Sequence, residues 1–166
     1  MATPKLTAER LRHVLDYNPG TGLFRWKVRT SNRVSVGDIA GAPHKAGYVQ
    51  IYVDGENFLA HRLAWLHVVG AWPAYTIDHI NHNRSDNRFA NLRDVPQAIN
   101  AQNMHLPFRS NRTSGVLGVS WSRKDRVWTA QISVGNRTRR IGAFRSIEEA
   151  QAAYLAAKRE LHPGMV

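Results

Sequence analysis

Residues 76–103 of this 166-residue chain read TIDHINHNRSDNRFANLRDVPQAINAQN, and they carry the clearest structural pattern in the sequence. Residues 76–80 are a short run that contains several β-branched side chains, which predicts a short strand. A polar loop follows, and residues 91–93 predict a return strand. Residues 96–103 predict a helix with proline in its first turn. The expected order is therefore strand, loop, strand and helix.

This pattern places a carboxylate, an imidazole and an amide where they can act together. Asp78 and His79 are adjacent on the first predicted strand, and Asn100 lies on the predicted helix. Carboxylate and amide oxygens suit a hard cation such as Mg²⁺, which keeps several of its waters. A histidine with a pKa near ~6.5 can take a proton from water at neutral pH. A capping aspartate beside a surface histidine fits the same residues, so the residues alone leave both interpretations open.

The sequence ahead of this pattern predicts another hairpin and a helix. Residues 48–53 alternate like a strand, and the Asp54-Gly55 pair that follows is typical of a tight hairpin turn. The apolar spacing of residues 61–69 predicts a helix. We assign residues 46–103 to one predicted unit.

The first 45 residues predict a small α+β unit. Thr7 is the expected N-cap of a short helix. Residues 18–22, which read Asn-Pro-Gly-Thr-Gly, predict a turn, and residues 23–28 alternate like a strand. Residues 31–45 contain many glycine, serine and asparagine residues and are expected to form a loop.

The C-terminal third predicts a three-stranded antiparallel sheet backed by one helix. Residues 104–112 are expected to link it to the rest of the chain. The predicted strands cover residues 115–121, 126–134 and 137–142. Ser146 and Glu149 have the spacing of a capping box, which predicts a helix from that point to residues 163–164.

Composition narrows the classes of protein that remain. The chain has no cysteine, which excludes a disulfide-stapled module, a thiolate zinc site and a cysteine nucleophile. The first twelve residues are too polar for a signal peptide, so we expect a cytoplasmic protein with no membrane partner. The net charge of +11, concentrated in the last third, favours a polyanion partner, and nucleic acid is the commonest one.

Several blocks of the sequence resemble HNH homing endonucleases from phages and introns, in the same order. The blocks that resemble their ββα-metal core are residues 77–81, 86–88, 91–93 and 100–103. Residues 60–65 and 70–73 resemble the segment that precedes this core, and residues 17–26 resemble a frequent N-terminal stretch of the same proteins. The C-terminal third resembles an AP2/ERF-type DNA-binding domain in residues 115–119, 128–132 and 142–154. Together the two resemblances cover nearly the whole chain.

The resemblance to HNH enzymes implies a role for four residues. Asp78 and Asn100 would bind the metal, His79 would be the general base, and Asn91 would hold the loop and orient His79. The last metal position is asparagine here instead of the histidine of the family name, as in the phage and intron branch. An oxygen donor at that position favours Mg²⁺ or Mn²⁺, one ion per active site, over softer metals.

Basic and polar residues around these positions are the candidate DNA contacts. Arg84, Arg88 and Arg93 flank the predicted site, although Arg88 could equally pair with Asp86. His61 is a possible metal or phosphate contact, and a structural hydrogen bond is an equal alternative. The candidates on the predicted C-terminal sheet are Ser120, Ser122, Arg123, Lys124, Arg126, Gln131, Arg137, Arg139 and Arg140. Charge alone suggests further contacts from Arg25, Lys27, Arg29 and Arg33. We expect Trp121 and Trp128 to lie in the core and not to stack on bases.

The sequence thus predicts an α+β protein with an N-terminal unit over residues 1–45, an HNH core over 46–103, a linker over 104–112 and an AP2-like domain over 113–166. The predicted function is metal-dependent hydrolysis of phosphodiester bonds in double-stranded DNA, by a monomer or a homodimer. The alternative is a DNA-binding regulator with a vestigial nuclease core.

Overall fold

Two structural units make up the chain, Met1–Val95 and Pro96–Val166. The computed structural model describes residues 6–102, 107, 111, 113–135 and 137–162. Both units are mixed α+β, built from small antiparallel sheets and short helices, as the sequence predicts. Most of the predicted linker, Asn136 and residues 163–164 lie outside the described residues.

The described residues of the first unit form two α-helices, one short 3-10 helix (Phe89–Asn91) and eight short strands. In chain order the α-helices and strands are α1 (Ala8–Val14), β1 (Leu15–Asn18), β2 (Leu23–Trp26), β3 (Ile39–Ala40), β4 (Ala42–Pro43), β5 (Val49–Val53), β6 (Glu56–Leu59), α2 (Ala60–Val69), β7 (Thr76–His79) and β8 (Leu92–Val95). They form the sheets β1-β2-β3, β4-β5-β6 and β7-β8, all antiparallel.

Local signals in the sequence account for most of these elements. Thr7 caps α1, since its side chain accepts a hydrogen bond from the backbone N–H of Arg10 at 3.1 Å. Gly70 ends α2 in the left-handed conformation, with φ of 84°. The prediction of an unbroken loop over residues 31–45 is wrong, because β3 and β4 each extend a sheet by two residues as its edge strand.

One hydrophobic core joins the N-terminal residues to the rest of the first unit. Leu11, Leu15 and Phe24 are fully or almost fully buried in the same cluster as Leu63 of α2 and Ile77 of β7. Burial of each large apolar side chain contributes roughly 1.5–3 kcal/mol. The segments 1–45 and 46–95 therefore stabilise each other.

The second unit is a sheet covered by a helix. Its elements are α3 (Gln97–Gln102), β9 (Val119–Ser122), β10 (Val127–Val134), β11 (Arg137–Phe144) and α4 (Ile147–Leu161), with β10 at the centre of the sheet. Ser146 caps α4 as predicted, accepting from the N–H of Glu149 at 3.1 Å. Ala130 and Ile132 of β10 pack against Ala150 and Tyr154 of α4.

The first strand of this sheet differs from the prediction at both ends. It begins at Val119 and not at residue 115, because Gly118 has a φ of 67° and lies against the ring of Tyr154. The predicted core position of Trp121 is wrong: its side chain is 38% exposed. Trp121 lies on an edge strand, where one neighbour, Trp128, covers it at a ring distance of 5.0 Å.

Among the described helices, none combines the length and the apolar character that a membrane crossing requires.

Candidate active site

The β7–β8 hairpin places a buried aspartate and a buried histidine side by side. Asp78 is 7% exposed and His79 is 5% exposed. Asp78 lies opposite Arg93 and His79 lies opposite Leu92 in the antiparallel pair. Polar side chains at this depth require partners, because an unpartnered buried polar group costs free energy.

Arg93 is the partner that the structure gives to Asp78. Its Nε and Nη2 atoms lie 2.8 Å and 2.7 Å from Asp78 Oδ2. The contact fixes the orientation of the carboxylate from the opposite strand. Arg93 therefore supports Asp78 in this structure, in addition to the phosphate contact that the sequence analysis assigns to it.

Asn91 holds together the loop that follows His79. Its Oδ1 accepts a hydrogen bond from the backbone N–H of Asn81 at 2.9 Å, and its Nδ2 donates to the carbonyl of Asp86 at 2.8 Å. The backbone carbonyl of Asn91 accepts from the N–H of Ile80 at 3.0 Å. Asn91 thus binds both ends of the loop to the start of β8.

Asn87 contacts the imidazole ring of His79. Its Oδ1 lies 3.4 Å from His79 Nε2, and its Nδ2 donates to the carbonyl of Ser85 at 3.2 Å. Because the amide nitrogen donates to a carbonyl, the atom that faces the imidazole is the oxygen, an acceptor. This hydrogen bond forms in the tautomer that carries the proton on Nε2.

Burial also sets the charge of His79. It lowers the pKa of this imidazole below the usual 6.5, while the hydrogen bond to Asn87 and the carboxylates of Asp78 and Asp86 act in the opposite direction. His79 is therefore neutral at pH 7, the state in which it can accept a proton.

His61 and Tyr48 pack around His79. The ring of His61 meets that of His79 edge-on at 5.0 Å, and the ring of Tyr48 lies 5.1 Å and 6.0 Å from the two imidazoles. Burial, His79 and Arg62 lower the pKa of His61 to about 3. His61 therefore stays neutral and serves as a packing partner of His79 in this structure.

The two other arginines that flank the site also have partners within the chain. Arg88 makes a two-point ion pair with Asp86, at 2.8 Å and 2.6 Å, as the alternative reading of the sequence expects. Arg84 donates to the carbonyl of Ala46 at 3.0 Å and lies over the ring of Tyr48. Both remain candidate phosphate contacts, since both are exposed.

Oxygen donors dominate the residues available to a metal ion. Asp78 lies on β7, and Asn100 lies on α3 in the second unit. In the described part of the chain, no three His, Cys, Asp or Glu side chains are close enough to hold an ion. Carboxylate and amide oxygens are the donors that hard ions such as Mg²⁺ and Mn²⁺ accept, whereas zinc prefers nitrogen and sulfur.

Comparisons with known proteins identify the family of this chain. A family model described as HNH endonuclease matches residues 58–102. Protein 3.8 of Escherichia phage T7 is 33% identical to this chain over 103 residues, which make up 61% of this chain and 83% of the phage protein. The chain belongs to the same family as Protein 3.8 and carries an HNH endonuclease domain.

A solved structure is also similar to this HNH protein. It describes DNA binding and cleavage by the HNH homing endonuclease I-HmuI, with 27% identity and a TM-score of 0.42. The match covers 54% of this chain and 50% of that one, so this chain spans about half the length of that endonuclease.

The HNH domain contains all four residues to which the sequence analysis assigns catalysis or metal binding. Asp78, His79 and Asn91 come together on the β7–β8 hairpin, and Asn100 follows on α3. Sequence analysis missed the role of Asn87, although this residue lies in the Asp86-Asn87-Arg88 block that carries the family resemblance.

The remaining DNA-contact candidates lie beyond the HNH domain. In the second unit every one of them except the half-buried Ser122 is exposed. In the first unit, three of the four basic candidates already donate to backbone carbonyls: Arg25 to Gly37 at 2.7 Å, Lys27 to Arg12 at 2.8 Å and Arg29 to Ser31 at 3.3 Å.

Proposed function

We propose that this protein is a metal-dependent endonuclease that hydrolyses phosphodiester bonds in double-stranded DNA. The observation that carries the proposal is the buried, neutral His79 beside Asp78, within the residues that match the HNH endonuclease family. The family supplies the reaction class, and the geometry supplies a base of suitable protonation state.

His79 is the general base of the proposed reaction. The imidazole takes a proton from the attacking water, and the positive charge that develops on the ring is favoured by the nearby carboxylates of Asp78 and Asp86. Asn87 accepts from Nε2 throughout and keeps the ring in one orientation. General base catalysis of this kind contributes about 10²–10⁴-fold to the rate.

Asp78 and Asn100 are the proposed ligands of Mg²⁺ or Mn²⁺, one ion per active site. A bound divalent ion stabilises the charge that develops on the phosphate and on the leaving oxygen. Arg93 holds the Asp78 carboxylate from behind through Oδ2, in the way that hydrogen-bonded outer residues orient metal ligands.

The second unit is the proposed DNA-targeting domain, of AP2 type. Its exposed basic sheet suits the phosphate backbone and the major groove, which is ~12 Å wide. One active site per chain gives a nick from a monomer, whereas a double-strand break requires a homodimer or two successive nicks. Because its relative Protein 3.8 comes from a phage, we place the reaction in the cytoplasm of a host cell.

Supercoiled plasmid tests the proposed function directly. Incubation with Mg²⁺ should give open circles, and EDTA or the substitution His79→Ala should abolish them. His13→Ala is the matched control, since His13 is exposed on α1, and it should leave cleavage unchanged. Repeating the assay on DNA from the source genome covers the case in which the plasmid lacks a recognition site.

A DNA-binding regulator with a vestigial core is the second candidate, and one result would favour it. That result is binding of both DNAs, weakened by salt, with no metal-dependent cleavage of either. The basic surface of the second unit supports binding in both candidates, so cleavage alone separates them.

A further inference from the structure

The turn between β1 and β2 lies against the loop that carries Asn87. Tyr17 Oη donates to the backbone carbonyl of Asn87 at 2.7 Å, and the hydroxyl is buried. Two residues later in the loop, the N–H of Phe89 donates to the carbonyl of Pro19 at 3.1 Å. The N-terminal hairpin thus binds the loop on both sides of Arg88.

Gly22 allows the turn and the loop to approach this closely. Its φ is 74°, and a Cβ atom there would come within 2.5 Å of both the backbone nitrogen of Arg88 and the carbonyl carbon of Asn87. Since backbone atoms cannot move aside cheaply, a side chain at residue 22 would push the loop away. The close approach therefore depends on glycine at this position.

The turn itself is held in one shape. Asn18 Oδ1 accepts hydrogen bonds from the backbone N–H groups of Gly20 at 2.9 Å and Thr21 at 3.1 Å. The carbonyl of Asn18 accepts from the N–H of Gly22 at 2.8 Å. A turn with three internal hydrogen bonds is a firm support for the loop that it contacts.

Asn87 connects this support to His79. Its backbone carbonyl accepts from Tyr17 and its side-chain oxygen contacts His79 Nε2, so one residue carries both contacts. Asn87 is only 4% exposed, and water is therefore a poor substitute for either partner.

We propose that Tyr17 and the turn over residues 18–22 are a positioning element for the proposed base: they hold Asn87 so that His79 keeps its proton on Nε2. The catalytic role of this positioning element rests on the proposed function. The link from Tyr17 through Asn87 to His79 rests only on the contacts. The N-terminal hairpin then contributes to the chemistry of a site 60 residues away in the sequence without touching the substrate.

The first measurement needs no cleavage. In ¹⁵N-labelled full-length protein without metal, the imidazole signals of His79 are assigned by their loss in His79→Gln. We expect the proton on Nε2 in the wild type and a mixture of the two ring tautomers in Tyr17→Phe, which removes one hydroxyl. Tyr52→Phe is the matched control, because Tyr52 lies on β5 in the same unit with 61% of its surface exposed.

The second measurement asks whether Tyr17 acts through Asn87. We expect Tyr17→Phe to lower single-turnover cleavage about 3- to 10-fold at saturating DNA, with the DNA concentration for half-saturation unchanged. In an Asn87→Ala background the same substitution should have almost no further effect, since coupled residues are not additive. Thermal unfolding confirms that each variant is folded at the assay temperature.

The two measurements separate failure of this inference from failure of the proposed function. Unchanged tautomers in Tyr17→Phe, or additive losses in the double variant, would overturn the positioning role even in an active enzyme. If the wild type cleaves no DNA, the proposed function fails, and the tautomer comparison still supports or overturns the link from Tyr17 to His79.

Discussion

The two units of this protein use polar residues in opposite ways. On the β7–β8 hairpin, Asp78, His79 and Asn91 are buried, and hydrogen bonds hold them at fixed positions. On β10 and β11 of the second unit, the polar side chains Gln131, Arg139 and Arg140 are exposed. Under the proposed function, we expect the first unit to carry out the chemistry and the second, with its exposed charge, to bind the DNA.

This contrast assigns different consequences to substitutions in the two units. Changes in the first unit should alter catalysis and stability together, because its polar groups are also structural. Changes on the sheet of the second unit should alter DNA affinity alone. Three experiments follow, in decreasing order of expected effect.

The largest effect is expected from replacing Arg137, Arg139 and Arg140 with glutamine together. The affinity constant K for DNA falls as salt rises, and each lost phosphate contact reduces the magnitude of the slope of log K against log salt by about 0.9. For the triple variant we expect a slope whose magnitude is smaller by about 2–3 and an affinity about 10- to 10³-fold lower. Fluorescence anisotropy over a range of salt concentrations measures both quantities.

A control on the other side of the same unit sharpens this result. Arg159→Gln removes a charge from α4, whose Ala150 and Tyr154 pack against the sheet, and should leave the slope unchanged. Cleavage at saturating DNA should also be unchanged in the triple variant. Equal losses from Arg159→Gln would show that net charge matters and not the sheet surface.

The next effect is on stability, from Asn91→Ala. This substitution leaves the N–H of Asn81 and the carbonyl of Asp86 without partners, and we expect a loss of about 2–4 kcal/mol in the free energy of unfolding. Urea denaturation measures it. Gln131→Ala in the second unit is the exposed counterpart and should cost less than about 0.5 kcal/mol. Similar costs for both would remove the contrast between the units.

The smallest expected effect is on the pH dependence of stability, and it comes from the titration of His61. Burial lowers the pKa of this imidazole to about 3, whereas in the unfolded chain it is 6.5. Between these values the unfolded state binds more protons, so acidification favours unfolding. The stability that the protein loses through this group between pH 7 and pH 5 is about 2 kcal/mol.

Urea denaturation of His61→Gln at pH 7 and pH 5 isolates this contribution. The variant should lose less stability on acidification than the wild type, whatever its stability at pH 7. Identical pH dependence in the two proteins would mean that His61 takes up its proton over the same pH range in the folded and unfolded states.

The sequence predicted the helix caps and the turn, which depend on residues close together in the chain. The caps at Thr7 and Ser146 and the turn at Asp54-Gly55 follow from local hydrogen bonding and backbone preference, and the structure has all three. Asp78 and His79 could be recognised because they are adjacent in the chain. Their roles in metal binding and catalysis stay predictions until cleavage is measured.

Contacts between distant segments could not be predicted in this way. Tyr17 and Asn87 are 70 residues apart, and no local pattern indicates that the hydroxyl of one meets the carbonyl of the other. The exposure of Trp121 was missed for a related reason. Strand alternation gives the face of a sheet, but it does not show that an edge strand leaves a large ring only partly covered.

The shared core of the first unit limits which segments of this protein can be transferred to another protein. Recombination that exchanged only residues 58–102 would transfer Asp78 and His79 but leave behind Leu11 and Phe24, which complete the core beneath them. The recipient would receive the family signature without the packing that keeps it buried. A transferred segment that keeps Asp78 and His79 buried would therefore have to include the N-terminal core residues as well as the signature itself.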